Sequence, residues 1–313
     1  MLPVEATTYH VSQQGNDSTT CAAAQSAGSA RRTINGGIAC LGSGDTLLIG
    51  PGTYNEPLSD IGGPPGYHVV PIPAGSLGAP TTIKAAQPGT VTLRSEARGS
   101  DRSAIITCET GACAHIRFEG LRLDAEQQRH GMSYGVNTGD SSHHVQFVNL
   151  EIVGADNGIA GTGSDHQVIG GHIHSMGKPH CYSGDPDGPG YCHGIYTQYG
   201  GAASQGRWVI DGVTFSGNSG FGVHAYGDPH IIVRNSVFRE HYIGGVVIIG
   251  PGGTVTNNCF ERNPEAIGCP YAPHCRQEGN RIDPPGGCGG AVPSREGPAP
   301  LPAPYNLRVV VVP

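Results

Sequence analysis

The chain has 313 residues, 51 of them glycine and 25 proline, and only 14% are charged. That length suits one large all-β domain without requiring two, and so little charge with so much glycine excludes a disordered chain in favour of one rich in tight corners. Eighteen basic against 25 acidic residues, a net charge of −7, leave no general basic face for nucleic acid, and no apolar run is long enough to span a membrane.

Residues 1 to 60 read as an opening module. Met1-Leu2-Pro3 carries no leader peptide and reads as a mature domain behind a start codon. Thr8-Tyr9-His10-Val11-Ser12 alternates as a strand does and runs into the turn Gly15-Asn16-Asp17. Between residues 30 and 41, Ile34, Ile38 and Leu41 fall on one helical face. A helix there would cover the open end of a solenoid, where the first coil exposes backbone and apolar side chains. Gly44-Asp45-Thr46-Leu47-Leu48-Ile49 begins that coil, and Pro51-Gly52-Thr53-Tyr54 turns out of it.

Residues 61 to 262 carry the coils. Up to 114 they are rich in Pro and Gly, with strand-like pieces at Thr82-Ile83-Lys84 and Val91-Thr92-Leu93. Beyond that, a Gly followed by an aliphatic residue recurs at Gly135-Val136, Gly158-Ile159, Gly194-Ile195, Gly222-Val223 and Gly245-Val246. A second row, Leu123, Ile152, Ile173, Phe215, Phe238 and Phe260, follows tight turns at Gly120, Asn149, Gly170, Gly212, Asn235 and Asn257. Where nothing is inserted (152 to 173, 215 to 238, 223 to 246, 238 to 260) the period is 21 to 23 residues. A repeat of that length without helical periodicity, with corners at residues able to adopt left-handed backbone, predicts a stacked β-solenoid.

Residues 263 to 300 dissolve into Pro, Gly and cysteine-bearing turns and are expected to form a disulfide-rich cap. In the last stretch, 301 to 313, Pro302-Ala303-Pro304 and the strand-like Leu307-Arg308-Val309-Val310 resemble the start of a fibronectin-type module; a strand packed back along the solenoid is the other reading. The ten cysteines fall into close pairs, and the expected disulfides are Cys21 with Cys40, Cys108 with Cys113, Cys181 with Cys192, Cys259 with Cys269 and Cys275 with Cys288. With no C-x-x-C pair to suggest zinc, they point to an oxidising compartment and a secreted, extracellular protein.

The succession Tyr9-His10-Val11-Ser12, Gly15-Asn16-Asp17, Thr33-Ile34, Gly44-Asp45-Thr46 and Pro51-Gly52-Thr53-Tyr54 resembles the opening of secreted right-handed parallel β-helix proteins of the pectate-lyase-like superfamily. With the coils included, the resemblance covers most of the chain. It implies the handedness of the solenoid, but only a class of chemistry, because polysaccharide lyases, glycoside hydrolases and uronate epimerases share that fold.

Side chains alternate along a strand, so inward Val136, Ile159, Ile195, Val223 and Val246 place Asn137, Ala160, Tyr196, His224 and Val247 outward. Gly139, Thr162, Gln198, Tyr226 and Ile249 form the next outward row. Rungs lie about 4.8 Å apart, which predicts Tyr196 and His224 near hydrogen-bonding range. About fourteen extra residues between 174 and 194, and about five near 199 to 206, flank this rung; long loops on rigid scaffolds carry function.

Tyr196 and His224 are the expected proton-transfer pair for removing the proton α to a uronate carboxylate, with Lys178 or Tyr226 assisting. Asn137, Gln198, His193 and His180 are the expected substrate contacts. Asp185 and Asp187 have a spacing that suits Ca2+, an ion that wants six or more oxygens. His172 and His174, two apart on one strand, pair with His180 as possible transition-metal ligands, and corner residues His143 and His144 have a weaker claim.

Tyr226-Gly227-Asp228-Pro229-His230 looks like the Asp-Pro-His motif of alginate C5-epimerases, but no acidic residue follows His230. The adjacent Asp pair of polygalacturonases is missing beside Asp140 and Asp156. The expectation is therefore a lyase acting on an anionic, uronate-containing polysaccharide by β-elimination. An epimerase, a glycoside hydrolase or a non-catalytic glycan-binding module are the alternatives.

Overall fold

The corners come first, because they set the coil. In the computed structural model, which describes residues 6–59, 69–94, 102–126, 132–177, 192–198, 206–228, 230–250, 252–270 and 275–289, the six predicted turn residues all lie in the left-handed region: Gly120, Asn149, Gly170, Gly212, Asn235 and Asn257 have φ of 50 to 70°. Each bends the chain between two short strands, in a conformation that costs Gly nothing and Asn little. His115, His144, Asp165 and Arg207 make a second left-handed corner, and Ser175, Gly217, Glu240 and Arg262 a third. Hydrogen bonds to the neighbouring coil hold such residues in place, as in Asn149 N–H to Ile169 O at 2.8 Å and Glu240 N–H to Glu261 O at 3.1 Å.

Between the corners run three parallel sheets of ten, nine and eight strands among the described residues. Both predicted rows are present in register: Val136, Ile159, Ile195, Val223 and Val246 on one sheet, and Leu123, Ile152, Ile173, Phe215, Phe238 and Phe260 on another. The ten-stranded sheet adds a row absent from the sequence reading, Phe118, Phe147, Val168, Ile210, Val233 and Val255. All three rows are buried and fill a single core. The rung spacing imposes ring stacking: Phe215, Phe238 and Phe260 lie at centroid distances of 4.8 and 4.9 Å, within 10° of parallel.

The glycines of the Gly-aliphatic pattern are not corners. A Cβ at Gly135, Gly158, Gly194, Gly222 or Gly245 would meet Ile152 Cγ2, Ile173 Cγ2, Phe215 Cδ1, Phe238 Cδ1 or Phe260 Cδ1 at 2.4 to 2.8 Å. One row therefore leaves space for the side chains of the other, which is why the two patterns interleave. Gly222→Ala is expected to cost roughly 1–3 kcal/mol through overpacking, read from the midpoint of urea unfolding; an unchanged midpoint would show that the core yields there.

Polar ladders satisfy the backbone beside the corners. Asn258 Nδ2 donates to Val233 O at 3.0 Å, Asn280 Nδ2 to Val255 O at 2.7 Å, and Asn258 Oδ1 accepts from Ser236 N at 2.9 Å.

At the N-terminal end, the helix expected over 30–41 is shorter, Ile34–Ile38. Thr33 Oγ1 accepts from Gly36 N–H at 2.9 Å, and Ile34 and Ile38 are buried in the same core as Val11 and Leu47.

The coils also continue past 262. Glu265–Gly268, Arg276–Glu278 and Arg281–Ile282 each pair with the strand of the preceding coil, so the region predicted as a cap begins as another turn of the solenoid. Residues 290–313, and with them the fibronectin-like stretch, lie outside the described residues.

Cys21–Cys40 and Cys108–Cys113 form as expected. The two C-terminal pairings do not: the bonds are Cys259–Cys288 and Cys269–Cys275. Cys259 opens a strand that faces the returning chain, where Glu261 Oε2 accepts from Cys288 N–H at 3.2 Å. Cys269 and Cys275 flank the connection between two consecutive strands. Cys192 is disulfide-bonded, and its expected partner Cys181 lies outside the described residues.

Candidate functional site

The strands Ile195–Gln198 and Phe221–Tyr226 are adjacent rungs of the eight-stranded sheet. Their register pairs Tyr196 with His224 and Gln198 with Tyr226. Ile195, Thr197, Val223 and Ala225 face the core and are fully buried, so alternation turns the other four residues outward. Tyr196 and His224 are half-buried, Gln198 and Tyr226 exposed. Ala160 and Val247 flank this patch on the neighbouring rungs. Asn137 lies on the same row beyond Ala160 and donates to Glu109 Oε1 at 2.7 Å.

Tyr196 and His224 meet as rings, with centroids 5.1 Å apart and planes at 66°. His224 is not hydrogen-bonded to Tyr196. Its Nδ1 lies 3.0 Å from Nε2 of His193, and the backbone N–H of Phe221 donates to Nδ1 of His193 at 3.0 Å. A backbone amide only donates, which settles both tautomers. His193 carries its proton on Nε2 and gives it to His224 Nδ1, so neutral His224 carries its own proton on Nε2. Burial pushes His224 down to about 4, so it is neutral at ordinary pH.

His224, one member of the expected proton-transfer pair, is thus a locked hydrogen-bond donor. Its Nε2 is closed off from solvent and has no hydrogen-bond partner among the described residues, a state that costs roughly 1–3 kcal/mol. His193, expected to touch substrate, is 1% exposed and instead positions His224 from beneath. Phe221, which the sequence reading passed over, supplies the amide that fixes the relay. Tyr196 Oη accepts from Gln198 Nε2 at 3.2 Å.

With this geometry in hand, the family model for the right handed beta helix region matches residues 190–292. A rhamnogalacturonan lyase structure is similar at TM-score 0.60 and 16% identity, over 83% of this chain and 69% of its own. The fold is the right-handed parallel β-helix. Pectate lyase Pel9A is similar at TM-score 0.52 and 15% identity over 90% and 78% of the two chains. An alginate lyase from Paenibacillus sp. str. FPU-7 follows at 0.50 and 16%, over 80% and 96%. At such identities the likeness is one of fold. No curated protein matches by sequence.

Other expected site residues sit elsewhere on the β-helix. His172 and His174 lie on the nine-stranded sheet, stacked at 4.1 Å. His172 Nε2 is 2.8 Å from Ser216 Oγ, and His174 Nε2 is 3.4 Å from Glu151 Oε1. Asp228, from the epimerase-like motif, is fully buried. It accepts from the backbone N–H groups of Arg207, Trp208 and His230, so it ties a corner and presents no carboxylate to a ligand. Burial raises its pKa. Lys178, His180, Asp185 and Asp187 lie outside the described residues. No helix among the described residues is long and apolar enough to cross a membrane.

Proposed function

We propose that this β-helix is a secreted polysaccharide lyase that cleaves a uronate-containing glycan by β-elimination at the row of Tyr196, Gln198, His224 and Tyr226. The observation that carries the reading is the enclosed Nε2–H of His224, unpartnered among the described residues, beside the Tyr196 ring. An unpaired buried donor calls for a partner, and a sugar oxygen supplies one once the Tyr196 or Phe221 ring, at 5.1 and 5.8 Å, turns aside. Exposed Tyr226 gives an aromatic face for a sugar ring on the outward side.

In the proposed reaction Tyr196, as phenolate stabilised by the Gln198 N–H, takes the proton from C5. The C–H electron pair forms the C4–C5 double bond as the C4–O bond breaks. The tyrosine then returns its proton to the leaving oxygen. His224 Nε2–H hydrogen-bonds the carboxylate where negative charge develops, a donor role that its fixed tautomer favours over that of a base. Lys178 would neutralise the same carboxylate. Asp185 and Asp187 belong to the proposal as a Ca2+ site, with no step depending on the ion.

The test is incubation with alginate, pectate and glycosaminoglycans, followed at the ultraviolet absorbance of unsaturated uronates. Rising absorbance is expected with one of them. Reducing ends without absorbance would replace the lyase with a hydrolase. Binding without product, unchanged in Tyr196→Phe and His224→Ala, would replace it with a glycan-binding module.

A further inference from the structure

Away from that row, the corner entering the ten-stranded sheet gathers three imidazoles. His115 and His144 occupy equivalent positions on consecutive coils, both left-handed with φ of 52 and 56°, and His143 precedes His144. The coils are joined there by the parallel bridge Ala114 to His143 and by His115 N–H to His143 O at 3.2 Å. The His115 and His144 rings stack at 4.7 Å and 28°, and His143 stands edge-on to both, at 5.4 and 5.1 Å. One nitrogen from each ring lies within 4.8 Å of the others. The Nδ1 atoms of His143 and His144 are 3.0 Å apart.

The geometry points to a binding site for a divalent transition-metal ion of the Zn2+ type, with His115, His143 and His144 as its protein ligands. Zinc–nitrogen bonds of about 2.0–2.1 Å in a tetrahedral site put ligand nitrogens roughly 3.4 Å apart, close to the spacing already present between His143 and His144. Only the partly exposed His115 ring has to swing inward. Two aimed nitrogen lone pairs repel unless one carries a proton, and a metal removes that conflict by accepting from both.

The surroundings match a metal-ligating histidine. His144 turns Nε2 toward Asp165 Oδ2 at 3.9 Å, which leaves Nδ1 free for the ion. Asp165 is held in turn by the Arg207 guanidinium, with Nε to Oδ1 at 2.7 Å. Drawn in from 3.9 Å to hydrogen-bonding distance, that carboxylate would fix the tautomer and orientation of a ligand imidazole. Three nitrogens leave a fourth position for water, and ligands drawn from two coils make the ion a staple between them. The imidazole set suits Zn2+, Co2+, Ni2+ or Cu2+, not an oxygen-seeking ion such as Ca2+.

Tag-free protein, stripped with chelator and desalted, is titrated with Co2+ and followed by its visible ligand-field absorption, with Zn2+ as competitor. Saturable one-to-one binding displaced by Zn2+ and insensitive to Ca2+ is expected, together with a higher Tm. His144→Asn, chosen because Asn tolerates the left-handed corner, should abolish the absorption while leaving the metal-free Tm near that of the parent. Asp165→Asn should weaken binding by about 10–100-fold, and a His172→Ala/His174→Ala double variant should bind as the parent does. Absence of ligand-field bands in excess Co2+, or unchanged binding by a folded His144→Asn variant, would overturn the site.

Discussion

Lowering the pH from 7.5 to 4 is expected to remove roughly 6–7 kcal/mol of folding stability through two histidines alone, enough to unfold a domain of ordinary stability. His166 and His241 are 0% and 2% exposed, and burial pushes each from 6.5 down to about 3. His166 is wedged against Trp208 at 4.7 Å, with Nδ1 accepting from Val145 N–H and Nε2 facing Ser142 Oγ. His241 accepts from Asn218 N–H, and its Nε2 has no partner among the described residues. Both folded-state values are depressed, so the unfolded chain binds protons that the folded chain refuses. Stability is therefore complete above about pH 6.5 and falls by about 1.4 kcal/mol per histidine per pH unit toward pH 3.

His172 and His224, each lowered to about 4, act in the same direction but are partly exposed and contribute less. Asp228, raised by burial, acts in the opposite direction. Chemical denaturation at half-unit steps from pH 7.5 to 4.5 measures the slope, and His241→Gln should flatten it by about 1.4 kcal/mol per unit. A stability that stays level below pH 6.5 would mean these rings are hydrated.

The fold was legible because a solenoid writes its third dimension into a sequence period. Once Ile195 and Val223 are counted one coil apart, Tyr196 and His224 must be neighbours, and they are. The third row escaped because its steps run 118, 147, 168, 210, 233, 255, with insertions breaking the period at the first and third intervals. From Phe147 onward each of its strands is also only three residues long with the row residue at its centre, too short for alternation to announce it. The C-terminal disulfides were illegible for the opposite reason. Cys269 lies nearer to Cys259 in sequence than Cys288 does, but the chain must complete another coil before it returns to the strand that carries Cys259. At the site, strand alternation suggested a proton-transfer pair of Tyr196 and His224; the direction of one amide, Phe221 N–H into His193 Nδ1, makes that histidine a donor. No residue pattern encodes that direction.

For the proposed elimination, His224→Ala is expected to lower kcat by about 10²–10⁴-fold, and Tyr196→Phe by a similar factor. The pH profile separates donor from base more sharply than either loss. A base of ordinary imidazole pKa would make kcat level off above about pH 6.5 and fall about fivefold between pH 6.5 and 5.5. His224, lowered to about 4, keeps the same tautomer across that interval, so kcat should show no bend near pH 6.5 and should instead fall steadily with the phenolate fraction of the base while the protein remains folded. His193 holds His224 Nδ1, and its replacement tests the lock. His193→Ala removes the N–H that holds His224 Nδ1 as an acceptor and lets both tautomers of His224 form. It should lower kcat by about tenfold with KM little changed, and a nitrogen NMR signal reporting a single Nε2–H tautomer in the parent should become that of a mixture. A parent-like nitrogen spectrum in His193→Ala would show that some other contact fixes the ring. Undiminished turnover by a folded His224→Ala variant would move the reaction centre off this row, because the other buried, unpaired donor among the described residues of these rungs, Thr197 Oγ1, faces the core.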